Sequence, residues 1–213
     1  MQNHPMRLHH HPMSTCSLRV RLAARHLGIE LDFVTVDLAS GAHQAPAFAA
    51  LNPNRKVPVL EHDGLVLWES YAIMQYLADR TPGQTVYPVE PAARADVNRW
   101  LFWCGQSFMP GVAMLNWEHS IKPMIGQGEP DPAAVARGES LFTDAMHILD
   151  GQLARGEWLC ATGLSLADFA IAAPLVDRQR ARLPMDNFSQ VNRWLMQMQA
   201  LAAWQAEQVG SSV

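Results

Sequence analysis

The chain has 213 residues, of which 49% are hydrophobic and 17% charged, and its formal net charge is −4. This is the composition of a soluble globular protein, with length enough for one large domain or two small ones. It excludes the strongly basic footprint of a nucleic-acid binder, and no apolar run of about eighteen residues exists to span a membrane.

Residues 1–7 lack the apolar core of a secretory signal, so a cytoplasmic location is expected. Cys16, Cys104 and Cys160 form no Cys-x-x-Cys pair and no zinc pattern. That suits a reducing compartment, where thiol chemistry would use one cysteine at a time.

In chain order, residues 8–11 read as a short strand ended by Pro12. Ser14, Thr15, Cys16 and Ser17 offer N-cap residues before the apolar set Leu18, Val20, Leu22, Ala23 and Leu27, and Gly28 closes that helix. The β-rich run 31–38 follows, giving a strand–helix–strand unit with parallel strands and a right-handed crossover. Residues 41–51 read as a loop and a short helix, broken by Pro53.

The stretch 52–70 carries the densest signals. Apolar runs at 57–60 and 65–68 flank Asp63-Gly64, the positive-φ pair of a tight hairpin. Pro58 cannot donate to a sheet ladder, so it belongs at a strand's start or edge, and its X-Pro bond is a candidate for the cis form. Ser70 takes the N-cap position of a helix containing Ile73, Tyr76 and Leu77, with Arg80 and Pro82 as stop signals. A helix N-terminus is a ready anion site. The order β-α-β-α-β-β-α makes a small mixed sheet with helices on its faces.

Strand patterns end in the turn-rich segment after Arg80, so residues 1–82 read as one domain, 83–91 as a linker and 92–213 as an all-α domain. A helix from Ala92 carries Val97, Trp100, Leu101, Cys104 and Phe108, and continues with a kink past Pro110-Gly111 toward Trp117 and Ile121. Asp131-Pro132 opens a long helix ending near Gly156. Ser165 to Asp168 has capping-box spacing ahead of an apolar helix over 169–176, and a last helix covers about 189–201.

His9, His10 and His11 invite a metal reading, since alternate residues of a strand share a face. No carboxylate or cysteine with ligand spacing joins them, so they are expected to pack and hydrogen-bond, with no metal bound.

Four local signatures resemble one family over nearly the whole chain, the cytosolic glutathione S-transferases. The segment 11–20, His-Pro-Met-Ser-Thr-Cys-Ser-Leu-Arg-Val, is similar to the family's first strand-to-helix turn. The segment 52–60, Asn-Pro-Asn-Arg-Lys-Val-Pro-Val-Leu, resembles its cis-proline segment, and Trp68-Glu69-Ser70 its γ-glutamyl-binding turn. The capping box at 165–168 matches one in its helical domain. The resemblance implies a thioredoxin-like N-terminal domain and an all-α C-terminal domain, glutathione as cosubstrate, and a homodimer.

It also implies roles. The enzyme's task is to stabilise a thiolate whose parent thiol, free, has a pKa of about 8.5. In serine-type classes, the residue two after the turn's proline donates a hydrogen bond to that sulfur, and here it is Ser14. Cysteine-type classes carry their working residue in the same turn, so Cys16 stands as the alternative, forming a mixed disulfide with glutathione. The tyrosine used by other classes has no equivalent.

Resemblance places Glu69 and Ser70 on the γ-glutamyl end, Val57 beside Pro58 on the cysteinyl backbone, and His43 and Lys56 on the glycyl carboxylate. Gln44 stands where family members often have lysine. Trp103, Phe108, Met109 and Trp117 are candidates for the wall of a pocket for an apolar electrophile between the domains, although such a stripe at helical spacing also describes core. The activity implied is conjugation of glutathione to hydrophobic electrophiles. The rivals are a glutathione-dependent thiol-disulfide oxidoreductase or peroxidase, and a non-catalytic binding protein of the same fold.

Overall fold

The computed structural model describes residues 5–210. Packing divides them into two units, Met1–Tyr87 with Leu201–Val213, and Pro88–Ala200.

The first unit starts with β1 (Met6–His10), α1 (Thr15–His26) and β2 (Leu31–Thr35). A turn of 3-10 helix over Ala42–Gln44 leads to α2 (Pro46–Leu51), then β3 (Val59–His62), β4 (Leu65–Trp68) and α3 (Ser70–Asp79). Among the described residues the strands form a four-stranded sheet in the order β2-β1-β3-β4. The β1–β2 pair is parallel, as the crossover through α1 requires, and the β1–β3 and β3–β4 pairs are antiparallel. This is a thioredoxin-like sheet. Asp63 and Gly64, at φ 49° and 80°, make the hairpin turn that their residue types predict.

Leu8, Val59 and Leu60 of the sheet are buried with Val20, Leu22 and Ala23 of α1 and with Ile73, Met74 and Leu77 of α3. Val36, Phe48 and Val59 form a further buried cluster, against which Leu38, Leu51 and Val57 pack. The strands are shorter than the apolar runs that announce them: β2 stops at Thr35, not at Leu38, because the chain leaves the ladder once Val36 N–H has bonded to His10 O at 2.8 Å.

The second unit begins with α4 (Pro91–Trp103), capped by the Glu90 carboxylate, which accepts from Ala92 and Ala93 N–H. The helix continues through a π segment (Cys104–Phe108) into α5 (Met109–Asn116), and through a second (Trp117–Ile121) into α6 (Lys122–Met124). Each π segment is followed within two residues by a proline, Pro110 or Pro123. A proline can neither donate to the carbonyl four residues back nor fit against it, and both of those carbonyls, of Gln106 and His119, lie inside the widened turns. The kink expected at Pro110-Gly111 is therefore a change of helix type that starts before the proline.

The long α7 (Pro132–Leu153) has Asp131 at its N-cap, accepting from Ala133 N–H. It lies so close to α5 that a Cβ on Gly111 would come 2.6 Å from Phe142 N. Next come α8 (Leu166–Ala172), a 3-10 stretch (Ala173–Asp177) and α9 (Ser189–Ala200). The Asp150 carboxylate of α7 accepts from Gln190 and Val191 N–H at 2.9 and 3.1 Å, capping α9 from a neighbouring helix.

A further helix, α10 (Ala202–Gly210), follows Leu201 and belongs to the first unit, where it packs on α1. The last helix expected from the sequence ends near residue 201, so α10 is an addition to that reading.

Candidate active site

Strand register decides which residues meet. His9 of β1 pairs with Val59, the first residue of β3, and Val59 pairs with Trp68, the last of β4. The chain leaving β1 toward Ser14, the chain entering β3 through Val57-Pro58, and the chain leaving β4 into Glu69-Ser70 therefore lie at one end of the sheet. His10 pairs with Thr35, so the exit of β2 toward His43 is at this end as well.

Ser14 is the N-cap of α1, with extended backbone at φ −78° and ψ 116°. Its N–H bonds to His11 O at 3.0 Å, closing the turn, and its hydroxyl oxygen accepts from Ser17 N–H at 3.2 Å. The cap uses a lone pair of that hydroxyl and leaves its proton to be donated. Cys16, half-buried and free, is the second residue of the same helix, and buried Ser17 lies beneath with its Oγ accepting from His11 N–H at 3.5 Å.

The Val57–Pro58 peptide bond is cis. The loop before it is held by Asn52, a buried residue whose Nδ2 donates to Lys56 O at 2.7 Å and whose Oδ1 accepts from Asn54 N–H at 3.0 Å. Asn-Pro-Asn is an Asx-turn signal, which is how Asn52 could have been picked out in the sequence. Lys56 is exposed and Val57 half-buried.

His43 sits in the 3-10 turn, and its Nδ1 is buried without a hydrogen-bond partner among the described residues. Its neighbour Gln44 accepts from Arg55 at 3.2 Å, which joins the His43 turn to the Arg55-Lys56 loop. Arg55 is thus a further cation beside the residues the sequence singles out.

The expected N-cap at Ser70 is corrected: the cap is Glu69, and Ser70 is the first residue of α3. Ile73 N–H bonds to Glu69 O at 3.0 Å, so the helix begins one position early, and buried Ser70 stands in its first turn, where N–H groups have no partner within the helix itself. Glu69 has φ 74° and ψ 110° and an exposed side chain. A non-glycine residue there costs roughly 1–3 kcal/mol, a strain of the kind that clusters at functional sites.

His9, His10 and His11 are engaged in packing and hydrogen bonds. His9 Nε2 lies 2.6 Å from Glu61 Oε1, and His11 Nδ1 accepts from Met13 N–H at 3.3 Å. His10 is buried 3.2 Å from an Arg21 nitrogen, and burial together with that positive charge lowers its pKa to about 4. Its neutral ring accepts from the guanidinium. Among the described residues no group of three or more His, Cys, Asp or Glu side chains is arranged to hold a metal ion.

The electrophile-site candidates lie in the second unit, at the borders of the π segments. Trp103 and Met109 are half-buried, and Trp117 is 39% exposed. Phe108 is wholly buried, 5.9 Å from Trp103 on one side and 5.9 Å from Phe142 on the other. Phe108 is a core side chain, on the same buried helix face as Leu101 and Cys104.

The comparisons with known proteins agree with this architecture. Residues 4–79 match the family model described as glutathione S-transferase, N-terminal domain. The glutathione S-transferase PARB of Nicotiana tabacum is 31% identical, over 93% of this chain and 95% of the relative. A solved structure of a delta-class glutathione transferase from Nilaparvata lugens superposes with a TM-score of 0.82 at 31% identity, covering 97% of this chain and 96% of the other. A glutathione transferase from Populus trichocarpa superposes at 0.87 with 25% identity, covering 98% and 100%. The chain belongs to the glutathione S-transferase family.

Proposed function

We propose that the protein is a glutathione transferase in which Ser14 stabilises the glutathione thiolate for attack on small hydrophobic electrophiles. The observation that carries this reading is the Ser14 hydroxyl, whose oxygen caps α1 while its proton remains to be donated, at the sheet end shared with Pro58 and Glu69-Ser70. A hydrogen bond given to sulfur favours the anion, and so does the positive end of α1; each unit of lowered pKa is worth about 1.4 kcal/mol.

The γ-glutamyl carboxylate takes the N-terminus of α3 at Ser70, and Glu69 faces the α-amine. Val57, beside Pro58, pairs with the cysteinyl backbone. His43, Lys56 and Arg55 hold the glycyl carboxylate, a role supported by the orphaned His43 Nδ1. The thiolate forms the new carbon–sulfur bond as the leaving group departs with its electron pair, or adds across a polarised double bond whose carbon then takes a proton from solvent. Trp103, Met109 and Trp117 contact the electrophile, and Phe108 supports Trp103 from behind.

Calorimetry with glutathione and a substrate panel test the proposal, reading conjugation of halo-aromatics and isothiocyanates and glutathione-dependent reduction of peroxides and mixed disulfides. Glutathione should bind at millimolar concentration or below, and Ser14→Ala should lose conjugation. Activity surviving in Ser14→Ala and disappearing in Cys16→Ala would assign the chemistry to Cys16, the second reading, which rests on that thiol's half-exposed place in the first turn of α1. Absence of glutathione binding would leave a non-catalytic role. A cytoplasmic homodimer completes the proposal on family grounds, and light scattering tests its oligomeric state.

A further inference from the structure

The turn that presents Ser14 is tied to a residue far away in sequence. Arg21, on α1, is almost fully buried, and its guanidinium is used on three sides. Nε donates to Glu207 Oε2 at 2.9 Å, NH1 lies 3.2 Å from His10 Nδ1, and NH2 donates to Pro12 O at 3.4 Å. Pro12 stands two residues before Ser14, inside the turn closed by Ser14 N–H on His11 O. The other Glu207 oxygen accepts from Arg25 Nε at 2.7 Å.

A buried guanidinium needs a counterion, and His10, held neutral, accepts a hydrogen bond without neutralising the charge. Glu207 on α10 supplies the negative charge and fixes the fork so that its far nitrogen reaches the Pro12 carbonyl.

We propose that Glu207 is a positioning residue which, through Arg21, holds the Pro12–Ser14 turn in the geometry that aims the Ser14 hydroxyl at the bound sulfur. The inference rests on the reading of Ser14 as thiolate donor. Glu207 never touches substrate; it acts by denying Arg21 any other orientation. A misplacement of about 1 Å at a reacting group can cost as much as a hundredfold in rate, so a contact that fixes a turn has leverage on chemistry.

The test titrates the thiol of saturating glutathione on the protein by its ultraviolet thiolate absorbance, in the wild type and in Glu207→Gln, Arg25→Gln and Ser14→Ala. Thermal unfolding and the kcat and KM for glutathione are measured alongside. Glu207→Gln should raise the apparent pKa of the bound thiol by about one unit, a tenfold loss of thiolate below that value, with KM within about twofold. Arg25→Gln removes a partner of the same carboxylate without touching the turn, and should leave the titration unmoved.

If Glu207→Gln and Arg25→Gln lower the melting temperature alike and neither moves the titration, the network is structural and the proposal falls. It falls too if Glu207→Gln lowers the thiol pKa, since the unpaired Arg21 charge would then be acting as a field. A titration unmoved by Ser14→Ala overturns the Ser14 reading itself, whereas a shift in Ser14→Ala without one in Glu207→Gln overturns the positioning role alone. Should Glu207→Gln not fold, Arg21→Lys carries the same test: it keeps the charge and loses the fork, and must raise the thiol pKa or the proposal fails.

Discussion

Ser14 and Ser165 both stand at the N-cap of a helix, and the two hydroxyls are used in opposite ways. At α8, Ser165 is fully buried, and its hydroxyl donates to Asp168 Oδ2 at 2.9 Å. The Asp168 carboxylate also accepts from Ser165 N–H, Leu159 N–H and Trp194 Nε1–H. At α1 the helix has no acidic residue in its first turn, and among the described residues the half-buried Ser14 hydroxyl only accepts, from Ser17 N–H. One cap spends its proton inside the fold, and the other has no acceptor for it among the described residues. A carboxylate three positions on gives the Ser165 hydroxyl an acceptor that the first turn of α1 does not offer Ser14.

The strongest way to sharpen this contrast is Asp168→Ala. It strands the four donors that converge on the carboxylate, and should cost about 3–5 kcal/mol in urea denaturation while leaving the specific activity of the folded fraction intact. Ser14→Ala is its mirror. Stability should fall by only about 1 kcal/mol for the lost cap, whereas kcat/KM for conjugation should drop about a hundredfold. A large loss of stability with normal turnover would erase the distinction between the two serines.

The buried cap should also leave a mark in pH. Burial outweighs the hydrogen bonds to Asp168 and raises its pKa from 3.8 to about 6. The folded state therefore binds that proton more tightly than the unfolded chain. The stabilisation this gives is full below about pH 4 and is lost as pH rises through about 6. Relative to Asp168→Asn, which does not titrate, the wild type should lose up to about 3 kcal/mol across that window, read from urea midpoints at each pH. The smallest effect is expected of Cys16→Ala: conjugation within about twofold of wild type and stability within about 0.5 kcal/mol. A tenfold loss there would move the chemistry from the cap to the thiol beside it.

What the sequence makes legible is what it writes within a few residues. The Asp63-Gly64 turn, the Ser14 cap, Asp131-Pro132 and the 165–168 box each depend on neighbours one to four positions apart, and each forms as its residue types predict. The helix start at Glu69 escaped because its positive φ is imposed by surroundings, where residue preference favours Ser70. Phe108 stands among the pocket candidates although its helical spacing from Leu101 and Cys104 also sets it on their buried face, and it lies wholly buried with them. Helix α10 has few apolar anchors and follows α9 after Leu201 alone, so no periodicity announces it. Nothing local marks Arg21 and Glu207, which lie 186 positions apart.

That separation has a consequence for how the protein is made. The cost of closing so long a span grows only with its logarithm, so the Arg21–Glu207 contact costs only about 0.6 kcal/mol more than one across half the distance. Its timing is another matter. A nascent chain that has already formed β1, α1 and the Ser14 turn must wait for the entire helical unit to be translated before Glu207 leaves the ribosome. Until then Arg21 has no carboxylate partner from α10, and assembly of the first unit waits on a residue synthesised more than a hundred positions after its last strand.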